Sequence, residues 1–547
     1  MKRRANLLCK VVITALLAFS AGSIVVPYTL SAQGAIGQVK NDPNGSATGT
    51  ATDVTVKDPK NPTLTEVMDT VGHNRISINI MWTLITGFLV MFMQAGFAMV
   101  ETGFTRAKNA AHTMTMNFMV YAIGMLGYWI CGYALQMGGV GAVAVLGGTP
   151  PLNHEFTVNL FGHPFGLFGL KGFFLSGDTY DVGVFTLFLF QMVFMDTAAT
   201  IPTGAMAERW KFSAFCVFGF FMAMVIYPLF ANWVWGGGWL SQLGTQFGLG
   251  HGHVDFAGSS VVHMVGGVAA LAGAIVLGPR LGKYDKNGQP QPMPGHDLPM
   301  ALAGTFILAF GWFGFNPGST LAGGDLRIGV VAVNTMLAGA AGAFTAMLYV
   351  WGRYGKPDPS MLANGLLAGL VAITAPCAFV NSVSAVLIGG IAGVLVVVSV
   401  FFVERTLKVD DPVGAISVHG VNGAWGVLSL GLFADGVYGD GWNGVPGTVK
   451  GLFYGDASQF AAECVGVLTC FLFVFVSFYL FFKLVEVTMG NRVSADVEIG
   501  GLDIPEMGAL AYPDFVLGPG TPMHGDAALA ASKVQVTAPG LKPLRVE

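Results

Sequence analysis

The chain has 547 residues, of which 53% are hydrophobic, 11% are charged and 77 are glycine. Ordinary soluble proteins have about 25% charged residues and about 7% glycine, so this composition excludes a soluble globular protein and indicates one that crosses the membrane several times. The net charge of −4, with basic residues scattered along the chain, argues against a nucleic-acid partner. The six cysteines show no CxxC spacing, so we expect no disulfide framework, no metal site and no cofactor.

The N-terminus combines basic residues at positions 2–4 with an apolar run from Val11 to Phe19 and small residues after it. This order is typical of a secretory signal peptide, which we place at residues 1–32, with cleavage near Ala21 or near Ala32. An uncleaved anchor is the alternative. Residues 33–76 are rich in Asn, Asp, Gly, Pro, Ser and Thr, a composition that predicts a flexible exported segment.

Eleven apolar segments follow, each long enough to cross the hydrocarbon core of a bilayer. They cover residues 77–100, 114–137, 183–206, 213–232, 257–277, 299–317, 328–352, 362–379, 384–403, 416–434 and 461–486. We therefore predict an all-α polytopic membrane protein with an eleven-helix transmembrane domain at residues 77–486.

The basic residues between the segments predict the orientation of the chain. Alternate loops carry Arg106, Lys108, Arg209, Lys211, Arg280, Lys283, Lys286, Arg353, Lys356, Arg405 and Lys408, whereas the intervening loops carry Lys171, Arg327 and Lys450. Cytoplasmic loops are the ones enriched in Lys and Arg. The pattern therefore places the N-terminus outside and the C-terminus inside.

A motif that begins at Asp255, DFAGSSVVHMVGG, returns in altered form from Asp411 as DPVGAISVHGVNG. Each copy has a histidine eight positions after the aspartate, His263 in the first and His419 in the second. Eight helical residues span about 12 Å, close to half of a hydrocarbon core of about 30 Å, so both imidazoles should lie near the midplane. The two copies fall on oppositely directed segments. We infer an inverted repeat of five plus five helices, one extra helix, and a pathway between the two halves.

Five motifs in a fixed order carry a resemblance to a known family. They are GAMAER at 204–209, NWVWGGG at 232–238, DFAGSSVVH at 255–263, GWFGFNPGS at 311–319 and DDPVGAISVHG at 410–420. Over about residues 77–512 the chain resembles the ammonium transporter (Amt) family of the Amt/Rh superfamily. The resemblance implies a transporter of ammonium or ammonia, not an enzyme. It also implies a homotrimer in the bacterial inner membrane, each protomer with its own narrow hydrophobic pore.

The resemblance also assigns roles to individual residues of the motifs. It implies an outer substrate-binding site with Trp312 beside it, a phenylalanine gate below, two pore histidines, and an aspartate that helps to recruit the ion. These positions are Trp235, Ser319 and Trp312 for the outer site, Phe190, Phe194 and Phe315 for the gate, His263 and His419, and Asp255.

The residue types fit such a path on physical grounds. Trp312, Phe315 and Ser319 fall on one face of the sixth segment, although an aromatic stripe alone is more often packing against lipid or another helix. Ammonium is strongly solvated, so moving it unchanged through an apolar pore costs many kcal/mol. An aromatic face returns about 0.5–2 kcal/mol. We therefore expect the ion to lose its proton and cross as ammonia, and a paired histidine to relay protons, which would reject potassium.

Several acidic residues have a structural interpretation as well. Asp255 starts the fifth helix, where a carboxylate can cap free amides, and we favour capping over direct ion binding. Asp410 and Asp411 occupy the matching start of the tenth helix and are expected only to cap. Asp196 lies inside the third segment, where we expect a bond to Thr200 or to a neighbouring helix or protomer.

Residues 487–547 form a predicted cytoplasmic regulatory tail. Its first part, up to residue 512, resembles the tail that crosses to the next protomer in this family, although Met507 stands where the family pattern has a histidine. The resemblance implies a PII-type signalling protein as a partner at this face. Residues 513–547 are rich in Pro, Gly and Ala and are expected to be flexible.

Other functions have to be weighed against ammonium transport. An Rh-like gas channel would lack the outer ion site, and Trp235 and Ser319 argue against it. An ammonium sensor usually carries a fused signalling domain, for which the tail is too short, so a sensor would have to act through a separate cytoplasmic partner. An unrelated secondary transporter would show broken helices and several intramembrane charges, which this sequence lacks.

Overall fold

The structure, a computed structural model, describes residues 58, 60–140, 144–147 and 152–513. The predicted signal peptide and most of the predicted exported segment lie outside these residues, as does the tail beyond 513. Eleven main helices account for most of the described chain. They are α1 (Leu64–Phe104), α2 (Ala107–Met137), α3 (Val182–Ala205), α4 (Phe212–Trp235), α5 (Ser259–Leu277), α6 (Leu298–Thr320), α7 (Ile328–Tyr354), α8 (Pro359–Thr374), α9 (Ser382–Arg405), α10 (Ile416–Phe433) and α11 (Ala457–Thr488).

Ten of these described helices are long and apolar enough to cross a membrane, and α8 is the shorter one. Each matches one predicted segment, so the all-α polytopic fold is confirmed, and the orientation remains a prediction. Local chemistry explains where several helices start, because a side chain there accepts hydrogen bonds from free backbone amides. The caps are Asp181 for α3, Asp297 for α6, Asp358 for α8, Asn381 for α9 and Asp456 for α11.

The first helix begins at Leu64, well before the predicted start at residue 77. A capping box explains the early start: Glu66 N donates to Thr63 Oγ1 (3.3 Å) while Thr63 N donates to Glu66 Oε2 (2.7 Å). The prediction of a flexible segment over 33–76 is therefore wrong for its last residues, which are helical.

The two copies of the aspartate motif have matching backbone geometry. Gly258 and Gly414, each three residues after the aspartate, have left-handed φ values of +112° and +81°. Each is followed by a π-helical turn that carries the histidine, Ser259–Met264 in α5 and Ile416–Val421 in α10. Such turns occur often at functional sites. This local correspondence between α5 and α10 agrees with the predicted inverted repeat.

Helices α5 and α10 cross at contact distance through a glycine. A Cβ atom built on Gly267 would lie 2.1 Å from Gly420 N, so no side chain fits there. At the repeat-related glycine, Gly423, an added Cβ would also be too close to α5, at 2.5 Å from the carbonyl oxygen of Ser259 and 2.9 Å from Met264 N. Small residues at such crossings let helix backbones approach closely, and this approach brings the two π-helical turns together.

The predicted external side carries a small sheet that the sequence analysis did not predict. Strands β1 (Glu155–Leu160) and β2 (His163–Gly169) form an antiparallel hairpin between α2 and α3, with an irregularity between Phe156 and Thr157. Glu155 Oε2 accepts a hydrogen bond from Asn232 Nδ2 (3.2 Å), which joins the hairpin to the end of α4.

On the opposite side, Asp411 caps the start of α10 as predicted, because its carboxylate accepts bonds from the amides of Gly414 (3.0 Å) and Ile416 (2.7 Å). The prediction that Asp410 only caps is wrong. Both its oxygens accept from Arg280, at 2.9 Å each, and a charge-assisted pair of this kind is strong. Although burial opposes ionisation, the neighbouring guanidinium groups hold the pKa of Asp410 well below its usual range.

The described part of the tail folds back on the same face of its own protomer. It contains a short helix, Ala495–Gly500. The Asp503 carboxylate accepts bonds from the amides of Ala111 (3.1 Å) and His112 (2.9 Å) at the start of α2, and Glu506 accepts one from Phe212 N (2.9 Å) at the start of α4. Two tail carboxylates thus cap two transmembrane helices, where the helix dipole favours negative charge.

Candidate functional site

The two predicted pore histidines meet at the crossing of α5 and α10. His263 Nδ1 lies 3.2 Å from His419 Nδ1, and the two rings are stacked at 5.3 Å with 25° between their planes. His263 has no exposed surface and His419 is 5% exposed. The inverted repeat thus brings two residues that are far apart in sequence into direct contact.

The Nδ1–Nδ1 contact fixes how many protons the pair can hold between its rings. A hydrogen bond needs one donor and one acceptor, so one Nδ1 is protonated and the other is not. Burial disfavours a charge on either ring. His263 Nε2 is buried and has no hydrogen-bond partner among the described residues, so it can bond to a molecule that passes along the path.

Trp312 lies beside this pair and not at the outer mouth. Its ring stacks on His263 at 5.3 Å and 19°, it has no exposed surface, and its Nε1 donates to Thr374 Oγ1 (3.0 Å). The expectation that Trp312 stands next to the outer site is therefore wrong. Its position one turn before Phe315 on α6 carries it past the phenylalanines towards the histidines.

The three predicted gate residues form a continuous aromatic stack above the histidines. Phe194 and Phe315 are stacked at 4.1 Å with 22° between their rings, and Phe190 contacts Phe194 at 4.7 Å. Phe315 also stacks on His263 at 5.3 Å. The rings of Phe194 and Phe315 are fully buried, so they fill the space between the outer residues and the histidines.

Trp235 contacts this stack at Phe194, and Ser319 lies one helical turn after Phe315 on α6. Trp235 meets Phe194 edge-on at 6.1 Å, and its Nε1 donates to the carbonyl of Asp255 (2.7 Å). Ser319 Oγ donates to the carbonyl of Phe315 (2.7 Å). Both side chains are partly exposed. The indole N–H of Trp235 and the hydroxyl of Ser319 thus each donate their single hydrogen to a backbone carbonyl. The indole face of Trp235 and the oxygen lone pairs of Ser319 remain available, and both attract a cation.

The carboxylate of Asp255 is fully engaged in hydrogen bonds with the start of α5. Its oxygens accept bonds from the backbone amides of Gly258, Ser259, Ser260 and Val261, at 2.7–3.1 Å, and from Ser260 Oγ at 2.7 Å. The side chain is 1% exposed. This geometry matches the favoured interpretation as a cap and leaves no access for direct contact with the ion.

A buried polar chain attached to Asp255 was not predicted. His253 Nε2 lies 3.0 Å from Ser260 Oγ, and His253 Nδ1 lies 2.6 Å from Glu463 Oε2 of α11. Burial lowers the pKa of His253, but the Glu463 carboxylate outweighs burial and raises it. The sequence signal for this polar network was Glu463, an acid inside the apolar segment 461–486. Ionisable residues inside a membrane segment cost free energy and usually have a function.

A second buried acid, Glu101, was also missed because the predicted first segment ended at residue 100. Its Oε2 accepts a bond from Asn117 Nδ2 (2.7 Å) and contacts Thr203 Oγ1 (2.7 Å). The expected bond from Asp196 to Thr200 is absent, since Thr200 Oγ1 donates to Asn117 Oδ1 (2.9 Å) and Asp196 Oδ1 has no partner in the described part of the chain.

Proteins similar to this chain are ammonium transporters, in agreement with the fold and the motifs. A family model described as Ammonium Transporter Family matches residues 81–512. The ammonium transporter Amt2 of Archaeoglobus fulgidus is 47% identical over 451 residues, which are 82% of this chain and 91% of that protein. The ammonium transporter Amt1 of Haloferax mediterranei is 37% identical over 467 residues, 83% of each chain.

Solved structures show the same architecture. A protein described as a Sensor Amt Protein has a TM-score of 0.68 and 35% identity, and the match covers 79% of this chain and 99% of that one. Mep2 of Candida albicans has a TM-score of 0.64 and 27% identity, with 77% and 87% covered. A family match over most of the length, together with relatives this similar, shows that this multi-pass membrane protein belongs to the Ammonium Transporter Family.

Proposed function

We propose that this chain takes up ammonium at Trp235 and Ser319, removes its proton, and conducts ammonia past His263 and His419. The observation that carries the proposal is the contact of two buried imidazoles, 3.2 Å apart, directly beneath a closed aromatic stack. This arrangement has polar atoms only where a proton or an ammonia molecule would need them.

The outer residues support binding of the ion but not its passage. An indole face and a hydroxyl provide a few contacts, each worth about 0.5–2 kcal/mol. The stack beneath them offers no oxygen or nitrogen, so a charged ion entering it would lose its hydration without replacement. Neutral ammonia avoids that cost. Potassium has no proton to give up and would stay outside.

The histidine pair is the route that we propose for the released proton. A proton held between the two Nδ1 atoms can leave on one side while another arrives from the opposite side, as long as only one is present at a time. Ammonia can bond to the buried His263 Nε2 as it passes. Transport in which proton and ammonia both cross moves one positive charge per ammonium.

The test is current on a solid-supported membrane, with the purified protein in liposomes and pulses of ammonium or potassium. We expect an ammonium-specific current that is lost or loses its selectivity in His263→Ala and His419→Ala. His154→Ala, which changes an exposed histidine immediately before β1, is the matched control and should conduct normally. An internal pH rise without current would instead establish a gas channel.

A sensor is the second candidate, because one structural relative with 35% identity is described as a Sensor Amt Protein. In that case occupancy of the same site would be read through the tail that caps α2 and α4. A sensor would bind ammonium but show neither current nor ammonia flux in the assay above.

We also propose that the chain forms a homotrimer in a bacterial inner membrane. Support comes from an apolar stripe on the start of α1, formed by Leu64, Val67, Met68 and Val71, which are 75%, 43%, 65% and 62% exposed. Their spacing puts all four on one helix face. Native mass spectrometry would show the trimer, and changing Leu64 and Met68 to Ser should weaken it.

A PII-type protein is the partner we propose at the cytoplasmic face. What supports it is the ordered tail beside the loops that such a protein would cover. Met507 replaces the histidine of the family pattern, so we expect the contact to depend on other tail residues. Co-purification with a PII-type protein, with and without residues 489–513, tests this partner.

A further inference from the structure

Glu101 is a buried acid on α1 that the transport path described above does not use. Its side chain is bonded to Asn117 on α2 and contacts Thr203 on α3, and the residue is only 3% exposed. Among the described residues, no basic side chain forms an ion pair with it. An ionised carboxylate without a cation is costly to bury, so this group either keeps a proton or holds a cation.

The contacts of Thr203 indicate which form the carboxyl group has here. Thr203 Oγ1 lies 2.5 Å from the carbonyl of Thr200 and 2.7 Å from Glu101 Oε2. A hydroxyl has one hydrogen, and a carbonyl can only accept. If Thr203 donates to Thr200, the second hydrogen bond needs a proton from Glu101. The geometry therefore fits a protonated Glu101 that is ready to donate.

Glu101 shares a cavity with His419. The cavity has a volume of 20 Å³, enough for one molecule of the size of water or ammonia. Its other described walls are Asn364 and the apolar residues Phe97, Val100, Ile201, Leu308, Leu367, Val413, Ala415 and Val418. Of the residues that line it in the described part of the chain, Glu101 and His419 are the two whose side chains can take up and release protons.

The position of the cavity is also informative. It touches His419, the second histidine of the pair, and Val413, which lies near the start of α10 beside the capping Asp411. It is thus on the side of the histidines away from Phe315, which contacts His263. Ammonia that has passed the histidines would enter this cavity next.

We propose that Glu101 and His419 frame an inner ammonium site in which ammonia regains its proton. The carboxyl O–H bond of Glu101 breaks, an N–H bond forms on ammonia, and the resulting carboxylate is the counter-ion of the new ammonium. When ammonium leaves, the carboxylate takes the next proton that arrives through the histidine pair at His419. This inference rests on the proposed transport function and adds an acid that completes the proton cycle.

A purely structural role for Glu101, joining α1, α2 and α3, makes a different prediction. Glu101→Gln keeps the size of the side chain and an oxygen that accepts from Asn117, but it has no acidic proton. A structural residue would tolerate this change. An acid that protonates ammonia would not.

The test compares the wild type with Glu101→Gln in the same liposomes, by ammonium current and by the internal pH rise that follows an ammonia gradient. Asp196→Asn is the matched control, because Asp196 is also a buried acid (2% exposed) in the membrane domain but does not line the cavity. We expect the current of Glu101→Gln to fall by about 100-fold, the lower end of what a positioned acid contributes. Ammonia flux should persist, and Asp196→Asn should keep its current.

Three outcomes would overturn the inference in distinguishable ways. Normal current in Glu101→Gln shows that the acid is structural and leaves the transport function intact. Loss of both current and ammonia flux in a monodisperse variant shows that Glu101 supports the pore wall. A wild type without current or flux refutes the transport function and the inner site with it.

Discussion

His263 and His419 share a single hydrogen bond between their Nδ1 atoms, 3.2 Å apart, although 156 positions separate them in the chain. The bond exists because two inverted copies of one motif place a π-helical turn on each side of the same helix crossing. Either ring alone would be a buried base without its partner.

The two histidines should therefore behave as one unit. If His263→Ala and His419→Ala each lose most of the ammonium current, the double variant should lose little more, because the shared proton is already gone in either single variant. A double-mutant cycle compares the solid-supported membrane currents of the wild type, the two single variants and the double variant. Losses that multiply would mean that each histidine acts independently and that the shared proton is unimportant.

Removing one ring of the gate should admit ions. Phe315 stacks on both Phe194 (4.1 Å) and His263 (5.3 Å), so Phe315→Ala opens a gap between the outer site and the histidines. Water filling this gap lowers the cost of a charge, and the preference for ammonium over potassium should fall.

The matched control for the gate is Phe310→Ala on the same helix, because Phe310 is 55% exposed and lies away from the stack. Currents with equal pulses of the two ions give the selectivity of each variant. Unchanged selectivity in Phe315→Ala would show that exclusion of potassium depends on the histidines and not on the phenylalanines.

The sequence was sufficient to predict the helical segments and the pairing of the two histidines, because the length of apolar runs and a repeated motif can be read directly from it. It was insufficient to predict how far along the transport path a given residue of a helix lies. Trp312 shares a face with Phe315 and Ser319, but helix rotation alone does not show that it lies next to His263.

The acids show a second limit of sequence reasoning. Asp410 and Asp411 are neighbours with the same side chain, yet one pairs with Arg280 and the other caps α10. Glu101 fell one residue beyond the predicted segment. Which buried acid finds a guanidinium, an amide or a cavity depends on tertiary packing that hydropathy does not encode.

The helix crossing at Gly267 should tolerate no side chain. In Gly267→Ala the new Cβ would lie 2.1 Å from Gly420 N, so α5 and α10 must move apart and the histidine contact must lengthen. We expect a loss of about 1–3 kcal/mol of stability, typical of an overpacked site, and loss of current.

Gly352→Ala on α7 is the control, because a Cβ there has nothing within 4 Å and alanine favours a helix over glycine. Thermal unfolding of the purified proteins should show a lower midpoint for Gly267→Ala and an equal or higher one for Gly352→Ala. Equal midpoints in Gly267→Ala and the wild type would mean that the crossing is looser than this contact indicates.

The external hairpin should lose stability as the pH rises. Burial raises the pKa of Glu155 from 4.5 to about 7, although the bond from Asn232 opposes the shift. The folded hairpin therefore binds the proton more tightly than the unfolded chain, and between about pH 4.5 and 7 deprotonation progressively destabilises it.

Glu155→Gln, which cannot ionise, should remove this dependence of hairpin stability on pH. Hydrogen exchange of the amides at 155–169, corrected for intrinsic rates, should show protection that falls with pH in the wild type only, while α7 in the same sample stays constant. Parallel pH profiles in the two proteins would show that Glu155 ionises without cost, because water or a cation reaches it between the hairpin and α4.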